Sequence, residues 1–503
     1  MGINIGSFLT KRARLSPRRE GLVCNELRLT FEQMNRRANR LAHAMQRLGV
    51  KRGDRVGLLA LNEPEYFDLL FGLGKIGAIL VPVNYRLAGP EMAYILSDCG
   101  AKVFVFGKEY AEIARSIKAE IPARKLVAIM DSPREGTESY PKLLEAESDA
   151  EPEIMAGGDD VLSILYTSGT TGRPKGAMLT HQNYYCTAVS LHATLGYCGE
   201  VFLVPLPLFH IGALGGIPMF VQLGQKVVLL RSFDAKRMLE LIQEEKVTGM
   251  GTVPALLMFL KLVPGFEKYD FSSMKIILVY AAPVPVSLLK EYDAAGIEVR
   301  QLYGLTECTG PASVIDSEYA IAKAGSCGLP LFESEIRLVD ARGRDVGPEE
   351  LGELLIRSDN VMKGYWNRPE ETQKTIIDGW LYTGDLAKKD AEGFLYILDR
   401  KKDMIISGGE NIYPAEIEDL LLRNPRVADA AVIGFPDPKW GEAVKAIIVV
   451  KKGEQLTEDE LIGWCQGRIG KYKIPKKVIF AASIPRTATG KILKRELREQ
   501  YNN

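Results

Sequence analysis

The chain of 503 residues carries 64 basic and 64 acidic side chains, a formal net charge of zero, with 46% hydrophobic and 25% charged residues. That is an ordinary soluble balance, and with no basic block it argues against nucleic acid as a partner. The length exceeds one ordinary core, so two or more domains are expected.

The N-terminal run MGINIGSFLTKRARLSP has neither the apolar core nor the cleavage site of a secretory signal, and Gly6 breaks the myristoylation pattern. Arg55–Ala60 reads as a strand, and Glu63–Lys75 as a helix with Phe67, Leu70, Phe71 and Leu73 on or near one apolar face. Ala78–Val83, Lys102–Phe106 and Lys125–Met130 read as further strands. Strands alternating with helices predict parallel α/β sheets with helices on both faces. In such sheets ligands sit at the carboxyl ends of the strands.

Val161–Leu165 is another short apolar run, and the loop after it is the densest chemical signal in the chain: Tyr166-Thr-Ser-Gly-Thr-Thr-Gly-Arg-Pro-Lys-Gly176. Glycines let backbone approach an anion closely, and exposed N–H groups in such a loop make an anion-binding concavity. Thr167, Ser168, Thr170 and Thr171 add hydroxyls, Gly169 and Gly172 add freedom, and Lys175 adds a charge. This is a phosphate loop by chemistry, but not a Walker loop, because Pro174 precedes the lysine and no Ser or Thr follows it.

Val201–Val221 holds only His210 as an ionisable group, so its apolarity resembles a membrane span. Pro205, Pro207, Gly212, Gly215, Gly216 and Pro218 break it, which predicts a buried strand, a turn and a buried helix instead. Lys226–Leu230 and Lys275–Tyr280 continue the strand series, the latter followed by Ala281, Ala282 and Pro283. After the strand Glu298–Arg300 comes Gln301-Leu-Tyr-Gly-Leu-Thr-Glu307. Its aromatic, glycine, hydroxyl and carboxylate suit a nucleotide: Tyr303 to stack on a base, Thr306 to bond a phosphate, Glu307 to hold Mg²⁺ through hard oxygens.

From about Ile336 the runs Ile336–Val339, Glu353–Arg357 and Phe394–Leu398, separated by Gly and Asp turns, predict a β-rich subdomain. After Arg400, the charged Lys401-Lys402-Asp403 and then Ser407-Gly408-Gly409 mark a domain boundary. Beyond it Ala430–Ile433 and Lys445–Val450 read as strands, and Thr457 with Glu460 as a capping box opening a helix. The C-terminus, Gln500-Tyr-Asn-Asn503, lacks a peroxisomal ending. The seven cysteines are scattered without a C-x-x-C pair, which fits reduced thiols in a cytoplasm, and the four scattered histidines argue against a zinc site.

The phosphate loop and Tyr303-Gly-Leu-Thr-Glu307 together resemble the adenylate-forming enzymes: acyl-CoA synthetases, adenylation domains of peptide synthetases, and firefly luciferase. The resemblance covers essentially the whole chain and is closest to the bacterial fatty-acyl and aryl-CoA synthetases. It implies an α/β fold with a large N-terminal domain of doubly wound sheets over 1–399, its β-rich subdomain near 331–399, and a small mobile α+β C-terminal domain over 400–503. It also implies that Glu307, with Thr167, approaches the metal, and that Ala281, Ala282, Gln301, Tyr303 and Gly304 border the nucleotide. The family's usual glycine before that alanine pair is Tyr280 here. Tyr382-Thr-Gly-Asp385 resembles the ribose site, where a carboxylate accepts from both hydroxyls, with Arg400 contacting ribose or phosphate. Lys402 stands at the family's hinge, and Ser407, Gly408 and Gly409 would line a pantetheine channel. Pro485-Arg-Thr-Ala-Thr-Gly-Lys491 resembles the motif of the adenylation lysine, so Lys491 would stabilise charge between carboxylate and α-phosphate. His210 and its neighbours Ile211 and Leu214, with Gly304, Gly310 and Pro311, would border an apolar acyl pocket.

The resemblance implies ATP, Mg²⁺ and coenzyme A acting on a small carboxylic acid, a medium or long fatty acid in the first reading and an aryl or cyclic one in the second. An amino-acid-activating domain needs an acidic anchor for the ammonium, which Pro207-Leu-Phe-His210 lacks. A luciferase-like oxygenase shares all these motifs. A non-catalytic nucleotide-binding regulator would be free to lose Glu307 or Lys491, and both are present. Monomer or homodimer, and peripheral membrane contact, stay open from sequence.

Overall fold

The computed structural model describes residues 2–167, 174–196, 199–280, 284, 286–400, 403–407, 410–438, 440–466, 468–487, 490 and 492–502, without the side chains of 400, 406, 410 and 411. The chain folds into two compact units, Met1–Glu335 with Ile356–Leu381, and Ile336–Leu355 with Tyr382–Asn503.

The first unit holds two sheets built as the alternating pattern dictates. In one, Glu138–Ser139, Lys125–Ile129, Val103–Gly107, Arg55–Leu59, Ile79–Pro82 and Val161–Thr167 run parallel in that spatial order. Lys175–Thr180 and Gly364–Tyr365 then add antiparallel strands at the edge. In the other, Glu20–Cys24, Lys226–Leu229, Val201–Val204, Gly249–Thr252, Ile276–Val279 and Glu298–Leu305 form the parallel centre. Gly310–Val314 and Leu329–Pro330 extend one edge antiparallel, and Leu27–Thr30 the other. Val161–Thr167 and Glu298–Leu305 therefore lie next to their sheets' antiparallel margins, and the two motif-bearing turns leave from their carboxyl ends.

The helix expected over 63–75 forms at Glu65–Ile76 and stops at Gly77, whose φ of 72° is the left-handed conformation that ends helices. Every residue from Tyr66 to Ile76 is buried, not one face alone. The helix packs on helices Gly6–Leu15 and Phe31–Arg47 as well as on the sheet, so three sides are covered. Its two buried charges are answered locally. The Lys75 ammonium donates to Asn35, Asn39 and Glu151. Asp68 accepts from Arg37 Nη2 at 2.6 Å and Nε at 3.1 Å and from the Tyr140 hydroxyl at 3.0 Å.

Glu65 is the surplus carboxylate of that cluster, 3.5 Å from Arg37 Nη2 but sharing the cation with Asp68. Burial first, then the Asp68 charge, raise its carboxyl to about 7. The folded state thus holds a proton that the unfolded chain has released, and stability falls as pH rises from the ordinary carboxyl value towards 7. Glu65→Gln is expected to remove that slope, on the order of 3 kcal/mol across the window. Urea midpoints of both proteins at pH 4.5 to 8 check it: a wild-type minus variant difference independent of pH would refute the assignment.

The Val201–Val221 segment folds as strand Val201–Val204 and helices Ile211–Leu214 and Ile217–Leu223, interrupted where its prolines and glycines fall. Among the described residues no helix is long and apolar enough to cross a membrane. The six described cysteines are free and buried.

The division between units falls within strands Glu335–Val339, Gly352–Arg357 and Trp380–Lys389 of the β-rich subdomain, in which Leu395–Arg400 pairs antiparallel with Trp380–Lys389. Further on, Glu410–Ile412, Ile405–Ser407, Gly441–Val450 and Val427–Asp437 form a sheet in that order, and Lys477–Phe480 pairs parallel with Gly441–Val450. Helices Pro414–Leu422 and Glu458–Cys465 share a core with Ile405, Ile412 and Val432. Leu497 of helix Lys494–Tyr501 packs in a separate cluster with Ile433 and Ile447. Alternate residues of the strand Val427–Asp437 thus feed the two clusters, as a two-faced sheet requires. The Thr457 capping box forms: its hydroxyl accepts from Glu460 N at 3.3 Å while its own N–H donates to Glu460 Oε2 at 2.8 Å.

Candidate active site

Antiparallel register sets Thr167 opposite Lys175, so the two ends of the phosphate loop meet across one rung. Ser168, Gly169, Thr170, Thr171 and Gly172 lie outside the described residues. Thr167 Oγ1 donates to Glu307 Oε1 at 3.5 Å, although 140 residues separate them. The second motif thereby meets the first. The hairpin behind Glu307 is tight: a Cβ on Gly304 would stand 1.9 Å from the Gly310 carbonyl oxygen, so only glycine fits there. Gly310 itself takes φ 104°, and the buried Thr309 before it φ 54°. Such a conformation in a β-branched residue is costly and needs external support. The Thr309 hydroxyl donates to Asn360 O at 2.7 Å, its carbonyl accepts from Thr187 at 3.3 Å, and Asn360 Nδ2 donates to Pro311 O at 3.0 Å.

Tyr365 is the residue that sequence reasoning missed. The pairing of Gly364–Tyr365 with Lys175–Thr180 brings its hydroxyl to donate to Glu307 Oε1 at 2.9 Å. Burial, then the Glu307 charge, hold the phenol well above its ordinary range, so it stays a donor. The Lys175 ammonium lies 5.4 Å from the centre of the same ring and donates to Glu371 on helix Pro369–Thr375. That bond draws the Glu371 carboxyl below its usual range. Nothing local announced Tyr365 or Glu371; the short run Gly364-Tyr-Trp366 before Arg368-Pro-Glu-Glu371 was the available hint.

One carboxylate, one phenol and one threonine hydroxyl form a hard-oxygen set at a phosphate loop. That set fits Mg²⁺, which takes one or two carboxylates and fills its shell with substrate phosphates. Glu307 with Thr167 would hold it, and the ion would supply charge neutralisation at the phosphates.

Gln301, 8% exposed, accepts from Val284 N at 2.9 Å and so ties this strand to the segment after Ile276–Val279. Ala281 and Ala282 in that segment lie outside the described residues. Tyr303 and Thr306 are half-buried on either side of Gly304. His210 precedes helix Ile211–Leu214 with its ring 4.3 Å from that of Phe209, and its buried Nε2 has no hydrogen-bond partner. Burial, then Arg86, lower its imidazole to about 4, so it is neutral near pH 7. Buried Asn62 holds the approach to it, donating to Leu206 O at 2.9 Å and Leu230 O at 3.0 Å and accepting from Leu208 N at 2.8 Å. Ile211 lies 3.9 Å from where a Gly310 Cβ would stand, so those two expected pocket residues do meet. Leu214 is completely buried in the core.

In the second unit Asp385, 5% exposed, pairs directly with Arg400 across the strands. Its N–H donates to Thr383 Oγ1 at 3.1 Å, and that hydroxyl donates to Leu354 O at 2.7 Å. Ser407 ends its strand opposite Glu410 and Gly441. Lys402, Gly408, Gly409 and Lys491 lie outside the described residues. The same unit has a cleft of about 600 Å³ lined by Phe435, Trp440, Lys445, Lys476, Lys477 and Asn502 among others. Lys445 and Lys477 stand 4.7 and 5.2 Å from the Phe435 ring centre, and burial, then Lys477, lower the Lys445 ammonium.

Residues 9–366 match the family model described as AMP-binding enzyme, and 416–491 match AMP-binding enzyme C-terminal domain. The chain is 43% identical to the long-chain-fatty-acid–CoA ligase FadD13 of Mycobacterium tuberculosis, over 99% of each chain. It is 40% identical to a feruloyl-CoA synthase of Amycolatopsis, again over 99% of each. Among solved structures, o-succinylbenzoate coenzyme A synthetase from Bacillus subtilis in complex with ATP and magnesium ion superposes with a TM-score of 0.88 at 34% identity, over 98% of this chain and 99% of that one. By its family matches and its full-length likeness to these enzymes, the chain belongs to the AMP-binding enzyme family and is an adenylate-forming enzyme.

Proposed function

We propose an apolar carboxylic acid as the substrate of this AMP-forming acid–CoA ligase, with ATP, Mg²⁺ and coenzyme A as the other reactants. The observation that carries the reading is the convergence of Thr167, Tyr365 and Glu307 where the two ends of the phosphate loop meet. In the first step the substrate carboxylate oxygen attacks the α-phosphorus of ATP, and pyrophosphate leaves. The loop, Lys175, the Glu307 site and Lys491 stabilise the spreading negative charge; such transfer is mostly positioning and electrostatics. Asp385 and Arg400 hold the ribose. Lys175 leaves Glu371 for a phosphate oxygen when the nucleotide arrives. In the second step the domain from residue 400 onward turns about Lys402 and brings in Ser407, Gly408 and Gly409. The coenzyme A thiol then attacks the acyl carbon, its proton is lost to solvent, and AMP leaves. The basic and aromatic cleft at Phe435, Lys445 and Lys477 suits the phosphates and purine of coenzyme A.

The apolar side chains beside His210 suit a medium- or long-chain fatty acid. Tyr280 favours the second reading, an aryl or cyclic acid. We place the enzyme in the cytoplasm, which the free, buried cysteines among the described residues support. AMP release measured over fatty, aryl, cyclic and amino acids, with and without coenzyme A, tests the reading. Turnover that requires coenzyme A and one class of apolar acid is expected. Turnover indifferent to coenzyme A would overturn the second step, and turnover restricted to amino acids would overturn the acid class.

A further inference from the structure

Strand Ile276–Val279 ends at Tyr280, at the carboxyl edge of the sheet where ligands bind. The Tyr280 hydroxyl donates to the Gly212 carbonyl at 2.7 Å, and its backbone N–H donates to Thr252 O at 3.2 Å, so the residue is anchored both at its main chain and at the tip of its ring. It lies between two glycines. A Cβ on Gly212 would come within 2.7 Å of the ring's Cε2, and one on Gly251 within 2.9 Å of the hydroxyl oxygen. Both neighbours thus lack side chains where the ring needs the room, and the ring fills space that glycine or alanine at 280 would leave open. Gly212 follows Ile211, the residue that reaches Gly310 beneath the Glu307 turn. The ring therefore stands against the residue next to Ile211, which the ligase reading sets at the acyl pocket.

We propose that Tyr280 closes the far end of the acyl pocket, so that the enzyme takes compact acids, a single ring or a chain of no more than medium length, and rejects long chains. This rests on the acid–CoA ligase reading above and narrows its acids to rings and chains of at most medium length. A fixed phenol ring excludes by volume, and a tail that runs into it forfeits contacts at every added methylene. The hydroxyl's bond to Gly212 keeps the ring from swinging clear, while the ring itself sets the limit.

The test is AMP release with coenzyme A, comparing kcat/KM for butanoate, octanoate, benzoate, cyclohexane carboxylate and palmitate. Wild type, Tyr280→Gly, Tyr280→Leu and Tyr280→Phe are assayed in parallel. Ratios between acids on one preparation do not depend on the fraction of it that is folded. Wild type is expected to favour the compact acids over palmitate. Tyr280→Gly is expected to raise the palmitate-to-butanoate ratio by about ten-fold or more, Tyr280→Leu by less, and Tyr280→Phe is expected to keep the wild-type ratio. Wild type turning over palmitate as well as octanoate, or an unchanged ratio in both the Gly and Leu variants, would overturn the length limit and leave the ligase reading standing. No turnover with any acid would overturn both.

Discussion

Glu307→Ala is expected to lower the rate of adenylate formation on the order of a thousand-fold, the scale seen when one preorganised electrostatic contact is removed from a transition state. The carboxylate is the single formal negative charge in the cluster with Thr167 and Tyr365. Without it those two hydroxyls remain but offer no charge to a divalent cation. Pyrophosphate exchange into ATP, titrated with Mg²⁺, separates the causes. A variant that recovers at high Mg²⁺ has lost metal affinity, whereas one that stays inactive at saturation has lost positioning at the phosphates. Tyr365→Phe removes only a donor to the same oxygen and should cost far less. Full exchange activity in Glu307→Ala would remove Glu307 from the chemistry.

Lys491→Ala is expected to lose adenylate formation to a comparable degree while retaining thioester formation from supplied acyl-AMP. The reason lies in the charge balance of the two steps. In the first, an anionic carboxylate meets an anionic polyphosphate, and a nearby ammonium stabilises the crowded negative charge. In the second, a thiol meets a mixed anhydride and AMP departs, so no second polyanion has to be brought up to the first. The two half-reactions can be assayed on one preparation, AMP release from ATP against thioester yield from synthetic acyl-AMP. Equal loss of both would sink the assignment of Lys491 to the first step alone and return it to an ordinary structural role.

The motif-bearing turns are legible because their residues are local in the chain. A strand ending in a turn dense with glycine, hydroxyls and a lysine announces phosphate within eleven residues, and the Glu307 turn follows a second strand in the same manner. Such turns are encoded by nearest neighbours in sequence, through φ freedom and hydrogen-bonding side chains. The strand series was legible for the same reason, since a buried parallel strand is a short β-branched run. The Thr457 cap likewise needs only its own turn.

Other features depend on partners that the chain brings from far away. Tyr365 reaches Glu307 across 58 residues and Glu371 reaches Lys175 across 196, each placed by strand pairing or packing that no window of sequence contains. Helix Glu65–Ile76 looked half-exposed by its pattern and is buried because two other helices cover it. Tyr280 reads in sequence only as a departure from small residues; that it fills the gap between Gly212 and Gly251 follows from two other elements. The sequence by itself determined the alternating α/β order and the two strands that end in motif-bearing turns, because each is written in consecutive residues. Tertiary structure alone decided which hydroxyls share the Glu307 carboxylate, which cation Glu65 must share, and what fills the space between Gly212 and Gly251, because those are distances between segments whose register is set only when the sheets assemble.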